Sequence, residues 1–100
     1  MSYFVLDENG EPKRTDPKTW AKWFEDGTTR RVAETHVGEV WVSTVFLGLD
    51  HNFTGEGRPL LFETMIFGGP RDGHETRCAT RAEATAAHEE AVALVKKDAS

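Results

Sequence analysis

The residues of this 100-residue sequence best able to do chemistry are the adjacent Asp50 and His51, and Glu63 inside the apolar run "PLLFETMIFGG". A histidine beside a carboxylate can exchange protons with a substrate near neutral pH. A carboxylate on an apolar face must be hydrogen-bonded or shift its pKa, which makes Glu63 a functional candidate as well. Asp50 and His51 sit at a strand exit and Glu63 projects from the next strand, so strand pairing would bring the three near one another. Read as catalysis, the trio is a small hydrolase or lyase in which His51 is the acid–base and Asp50 or Glu63 orients it. Read as structure, Glu63 accepts hydrogen bonds from Trp41, Arg31 or loop backbone, and Asp50 closes the turn after its strand.

Two glycine-rich stretches offer a different chemistry. "GEGR" and "GGPRDG" combine permissive backbone with Arg58 and Arg71, and a nest of N–H groups beside a guanidinium can hold a phosphate or carboxylate. Neither matches a phosphate-binding loop, and plain turns are the simpler reading. His36, His51, His74 and His88 are scattered over different elements without HxxxH or CxxC spacing, so no metal site and no cofactor is expected. Ser43 and Thr44 fall inside a strand pattern rather than at an exposed elbow, and the lone Cys78, which would need a neighbouring base or a positive environment to be activated, reads as inert packing.

The bulk composition narrows the classes. At 38% hydrophobic and 29% charged, the chain has the make-up of one folded domain spanning residues 1–100. Its net charge of −5 comes from 17 acidic and 12 basic residues mixed along the chain, which disfavours a nucleic-acid binder held by a concentrated basic surface. One cysteine allows no intrachain disulfide, and neither a signal segment nor an apolar run of membrane-spanning length is present, so a cytoplasmic location is expected.

These residues must be positioned by a small set of elements. "YFVLD" begins a strand that "ENGEP" turns back. In "TDPKTWAKWFEDG", Asp16 caps, Pro17 suits the first helical position and Trp20, Trp23 and Phe24 form one aromatic face before Gly27 stops the helix. Residues 30–37, 40–49 and 60–67 read as strands, the first two reversed at Gly38. In the second, Val40, Val42 and Phe46 point one way and Trp41, Val45, Leu47 and Leu49 the other. In the third, Leu60, Phe62 and Ile66 oppose Leu61, Glu63, Met65 and Phe67. Apolar residues on both faces predict central strands. The connection "DHNFTGEGRP" between them is longer than a hairpin needs. A brief extended "TRCA" precedes Thr80, whose spacing to Glu83 is that of a capping box opening a last helix to about Lys96. The fold class is therefore α+β, a mainly antiparallel sheet of about four strands with two helices on one face.

The segments "VSTVFLGLDHNF", "PLLFETMIFGG" and "RCATRAEATAAHEEAV" resemble a family of small proteins encoded by tailed bacteriophages and prophages. The resemblance covers residues 20–95 and is most specific over residues 43–69. Family members usually carry an aromatic residue where this chain has Cys78 and a glycine where it has Ala87. The resemblance implies a phage accessory protein in a bacterial cytoplasm, with host defence components among its expected targets, and it implies no established activity.

The expected function is a non-enzymatic binding protein that sequesters a small nucleotide-like ligand or occludes a host protein. Its surface is expected to combine the 50–58 and 68–74 loops, backed by Trp41 and Glu63, with Asp50, His51, Phe53, Arg58 and Arg71 as contact residues. The hydrolase or lyase is the alternative, and an inhibitor acting purely through protein–protein contact is a third reading. A homodimer is also expected, because a small sheet leaves edges to be covered or paired.

Overall fold

The computed structural model describes residues 2–25 and 30–100, so the expected helix stop at Gly27 lies outside the described residues. The elements are β1 (Tyr3–Leu6), β2 (Pro12–Thr15), α1 (Pro17–Glu25), β3 (Arg31–Val37), β4 (Val40–Phe46), β5 (Phe62–Phe67), β6 (Glu75–Cys78) and α2 (Arg81–Ala99). Strands β3 to β6 form a four-stranded antiparallel sheet in sequence order, and β1 and β2 form a separate antiparallel hairpin. The architecture is the α+β arrangement expected from the sequence, with the hairpin as a second sheet.

Local chemistry accounts for the element ends. The Asp7 carboxylate accepts from the N–H groups of Asn9 (2.8 Å) and Glu11 (3.0 Å), closing the hairpin. At the start of α1, Asp16 accepts from the Thr19 N–H (2.7 Å) and the Thr19 hydroxyl (2.8 Å), and these bonds hold its carboxyl below its usual pKa. At the start of α2, the Thr80 hydroxyl accepts from the Glu83 N–H while the Glu83 carboxylate accepts from the Thr80 N–H, the reciprocal box anticipated from their spacing.

β4 is shorter than its apolar run because Gly48 turns the chain with φ +78°. The segment after β4 leaves the regular ladder and is joined by β1: the Phe4 N–H donates to the Gly48 carbonyl (2.8 Å), and Tyr3 bridges to Leu49. The same carbonyl accepts from Trp20 Nε1 (3.1 Å) on α1. Thus Gly48 is where the large sheet, the hairpin and the first helix meet.

One face of the large sheet carries the core. Val42, Thr44 and Phe46 from β4 and Phe62, Thr64 and Ile66 from β5 are buried beneath α2, which contributes Ala84, His88, Ala91 and Val95. Phe4 from the hairpin and Trp23 from α1 extend this layer, with Trp23 edge-on to Phe46 at 5.8 Å. Burying each large apolar side chain stabilises the fold by roughly 1.5–3 kcal/mol. Both helices therefore serve the same side of the fold.

That core holds a polar string. His88 hydrogen-bonds through Nδ1 to the Thr44 hydroxyl (2.8 Å) and through Nε2 to the Thr35 hydroxyl (2.9 Å), and Thr44 in turn meets the Thr64 hydroxyl (2.6 Å). Hydroxyls that rotate can complement a neutral imidazole in either tautomer, so the string is satisfied without a charge. Burial lowers the His88 pKa from its ordinary 6.5, partly opposed by nearby Glu89.

Candidate binding surface

The trio Asp50, His51 and Glu63 is divided among separate tasks. Asp50 accepts through Oδ1 from the N–H groups of Asn52 (2.8 Å) and Leu60 (2.9 Å), tying the two ends of the long loop. His51 donates from Nδ1 to the Leu49 carbonyl (2.8 Å), and its ring lies 5.7 Å from that of Phe53. Glu63 stands opposite Val45 in the ladder and pairs with Arg77 of β6, Nε to Oε2 at 2.9 Å. Its partner is thus none of Trp41, Arg31 or loop backbone, because the β5–β6 register puts Arg77 directly across from it. Among the described residues, no hydrogen bond joins members of the trio.

The two arginines expected to greet a ligand are each held by α2. Arg58 pairs with Glu83 (2.8 Å), which raises the guanidinium pKa and lowers that of Glu83, and Arg71 pairs with Asp98 (2.7 Å). Cys78 is half-buried, and burial pushes its thiol pKa up, as befits packing rather than nucleophilic attack. Among the described residues no three His, Cys, Asp or Glu side chains converge as metal ligands would.

Topology separates two loops expected to act together. β4 and β5 are antiparallel, so the loop after Phe46 leaves one end of the sheet and the loop after Phe67 leaves the other. They are a strand length apart, about 20 Å at 3.3 Å per residue. The 50–58 and 68–74 loops therefore do not form one surface. Phe53 (76% exposed) belongs to the first end and Phe67 (39% exposed) to the second.

Trp41 belongs to a feature of another kind. On the sheet face opposite α2, alternation in β3, β4 and β5 lines up His36, Trp41 and Phe67 across three strands. The His36 and Trp41 rings are parallel within 4° at 5.9 Å, and Trp41 and Phe67 lie 4.9 Å apart. Below them run Glu34, Ser43, Met65 and Glu75, then Val45, Glu63 and Arg77. Helix α2, which packs extensively on β3, β4 and β5, lies on the other side of the sheet. The indole Nε1 of Trp41 is buried yet has no hydrogen-bond partner among them, an arrangement few buried donors show.

Residue types alone single out Trp41 and Glu63 but not His36, Met65 or Phe67. A signal for the latter exists, since Glu63, Met65 and Phe67 share one side of their strand. Apolar residues on that second side predict burial, whereas here Trp41, Val45 and Met65 are half-buried and His36 and Phe67 are exposed.

Concavities lie elsewhere. A cavity of about 90 Å³ opens between the end of α2 and the sheet, lined by Val37, Val40, Ile66, Val95 and the Arg71–Asp98 pair. A wider cleft of about 520 Å³ runs between the 7–10 turn, Trp23 and Arg81, whose guanidinium donates to the Gly10 carbonyl (3.2 Å). No helix among the described residues is long and apolar enough to cross a membrane. No family model, curated protein or solved structure matches the chain.

Proposed function

We propose that this chain is a non-enzymatic binding protein that occludes a protein partner through the open face of its larger sheet. The supporting observation is the row His36, Trp41 and Phe67, an aromatic strip on the sheet face opposite α2, with His36 and Phe67 exposed, rimmed by Glu34, Glu63, Glu75 and Arg77. An apolar centre with a charged rim is the anatomy of protein interfaces, and tryptophan is enriched among their energetic anchors. Small-molecule sites are concave and usually about 300 Å³ or more. The sheet face is not a cavity, the 90 Å³ cavity beside Arg71 is too small for a nucleotide-like ligand, and the 520 Å³ cleft by Trp23 and Arg81 holds none of the residues expected to contact one.

The likeness of residues 43–69 to phage proteins supports a bacterial host protein as the partner and a bacterial cytoplasm as the setting. The hydrolase reading has less support: Asp50 is engaged by loop backbone and Glu63 by Arg77. Immobilised protein incubated with bacterial lysate is expected to retain a partner. The Trp41→Ala, Phe67→Ser double variant should weaken that retention roughly 30-fold or more, the scale of one lost aromatic hot spot. Phe53→Ala should leave it unchanged. Retention that survives the double variant and disappears with Phe53→Ala or Arg58→Ala would overturn the reading.

A further inference from the structure

We propose that the chain forms a two-fold dimer by pairing strand β6 with β6 of a second copy. This inference rests on the backbone of a sheet edge rather than on the aromatic strip proposed above, although Glu75 and Arg77 belong to the rim of that strip. β6 is an edge of the large sheet, and Glu75, Thr76 and Arg77 are exposed along it. The backbone groups that face outward can be assigned. The Ile66 N–H donates to the His74 carbonyl (3.0 Å) and the Leu61 N–H to the Cys78 carbonyl (2.9 Å), so positions 74 and 78 face β5. By the alternation of an antiparallel ladder, Thr76 also faces inward, and Glu75 and Arg77 aim their N–H and C=O groups outward.

A two-fold axis through Thr76 gives the complementary register. It sets Glu75 opposite the partner's Arg77 and Arg77 opposite the partner's Glu75. Both pairs are of the hydrogen-bonded kind, each exchanging two backbone bonds, while Thr76 meets the partner's Thr76 in the closer, non-bonded pairing between them. The side chains agree with the backbone. Glu75 and Arg77 lie on the open face, where opposite charges directly across strands attract, and Arg77 already approaches Glu75 of its own chain at 3.8 Å. On the other face, a groove of about 170 Å³ between β6 and α2, lined by Thr76, Ala87, Ala91 and Leu94, would be brought beside its symmetry mate.

The opposite edge is less suited to such pairing, because β3 carries a register irregularity between Arg31 and Ala33. Joining two four-stranded sheets in this way gives one continuous antiparallel sheet of twice the width, with both α2 helices on one side and both aromatic strips on the other.

Sedimentation from micromolar to millimolar protein tests this. The wild type is expected to pass from 11.2 kDa to twice that mass. Arg77→Glu places like charges opposite one another and should weaken dimerisation roughly tenfold or more, while the E75R/R77E double variant, which restores opposite signs, should recover it. Both variants lose the Arg77–Glu63 pair, so a general loss of stability cannot produce recovery in one alone, and thermal melts at low concentration check that each is folded. In the dimer, the Glu75 and Arg77 amides should be protected from hydrogen exchange. A wild type that stays monomeric throughout, a dimer indifferent to Arg77→Glu, or a dimer that leaves those amides unprotected would overturn the proposal.

Discussion

Replacing Gly48 with alanine is expected to lower stability by about 2–5 kcal/mol, or to prevent folding altogether. The backbone at Gly48 has φ +78°, where an L-side chain is strained by about 1–2 kcal/mol. A Cβ there would lie 2.1 Å from the Phe24 ring and 3.0 Å from Trp20 Nε1. The rings would have to withdraw, adding an overpacking cost of about 1–3 kcal/mol, and α1 would lose its seat on β1. Gly55→Ala provides the control, since Gly55 has φ +77° but a methyl group added there would meet nothing within 4 Å. Urea midpoints for the two variants separate backbone strain from collision. Equal losses would show that the α1 contact is not what requires glycine at position 48.

The second large effect concerns the polar string under α2. His88→Ala removes the partner of Thr44 and Thr35 and opens a cavity, for an expected loss of about 3 kcal/mol or more. Replacing the string with apolar groups of similar shape, as His88→Leu with Thr35→Val, Thr44→Val and Thr64→Val, should instead stay within about 1 kcal/mol of wild type, because no member of the string is left without its partner. pH dependence provides a second readout. With a folded pKa below the unfolded 6.5, His88 contributes stability that is fully present above that value. The unfolded chain binds the extra proton first, so the contribution is lost as pH falls from 6.5 toward the lowered folded value. Chemical unfolding of the wild type should show this decline, and the quadruple apolar variant should lose the part due to His88.

The elements were legible where local chemistry and periodicity agreed. Thr80 and Glu83 announce α2, Asp16 and Pro17 announce α1, and the alternation in β4 and β5 places them at the centre of the sheet. The early end of β4 was not legible, because an apolar run continues past Gly48 and the reason for the break is the approach of Phe24 and Trp20 from another element. His88 reads as a helix-face residue, yet its threonine partners come from β3 and β4, and no local pattern announces such a meeting.

The candidate site was harder to read for the same reason. Asp50, His51 and Glu63 have the residue types of a catalytic group, but register assigns Glu63 to Arg77 and loop geometry assigns Asp50 to Asn52 and Leu60. Arg58 and Arg71 likewise meet acidic partners on α2 that are 25 and 27 positions away in sequence. Trp41 stands out by residue type alone, while its neighbours His36 and Phe67 become visible only once three strands are aligned.

With the open face as the seat of a partner, the indole of Trp41 is its natural reporter. Nitrogen-15 spectra of the protein, recorded while the retained partner is titrated in, should shift the Trp41 indole N–H and the amides around Trp41, Met65 and Phe67 together. The amides around Phe53 should remain in place. Shifts confined to the 50–58 loop, with the Trp41 indole unmoved at saturation, would contradict this placement of the partner.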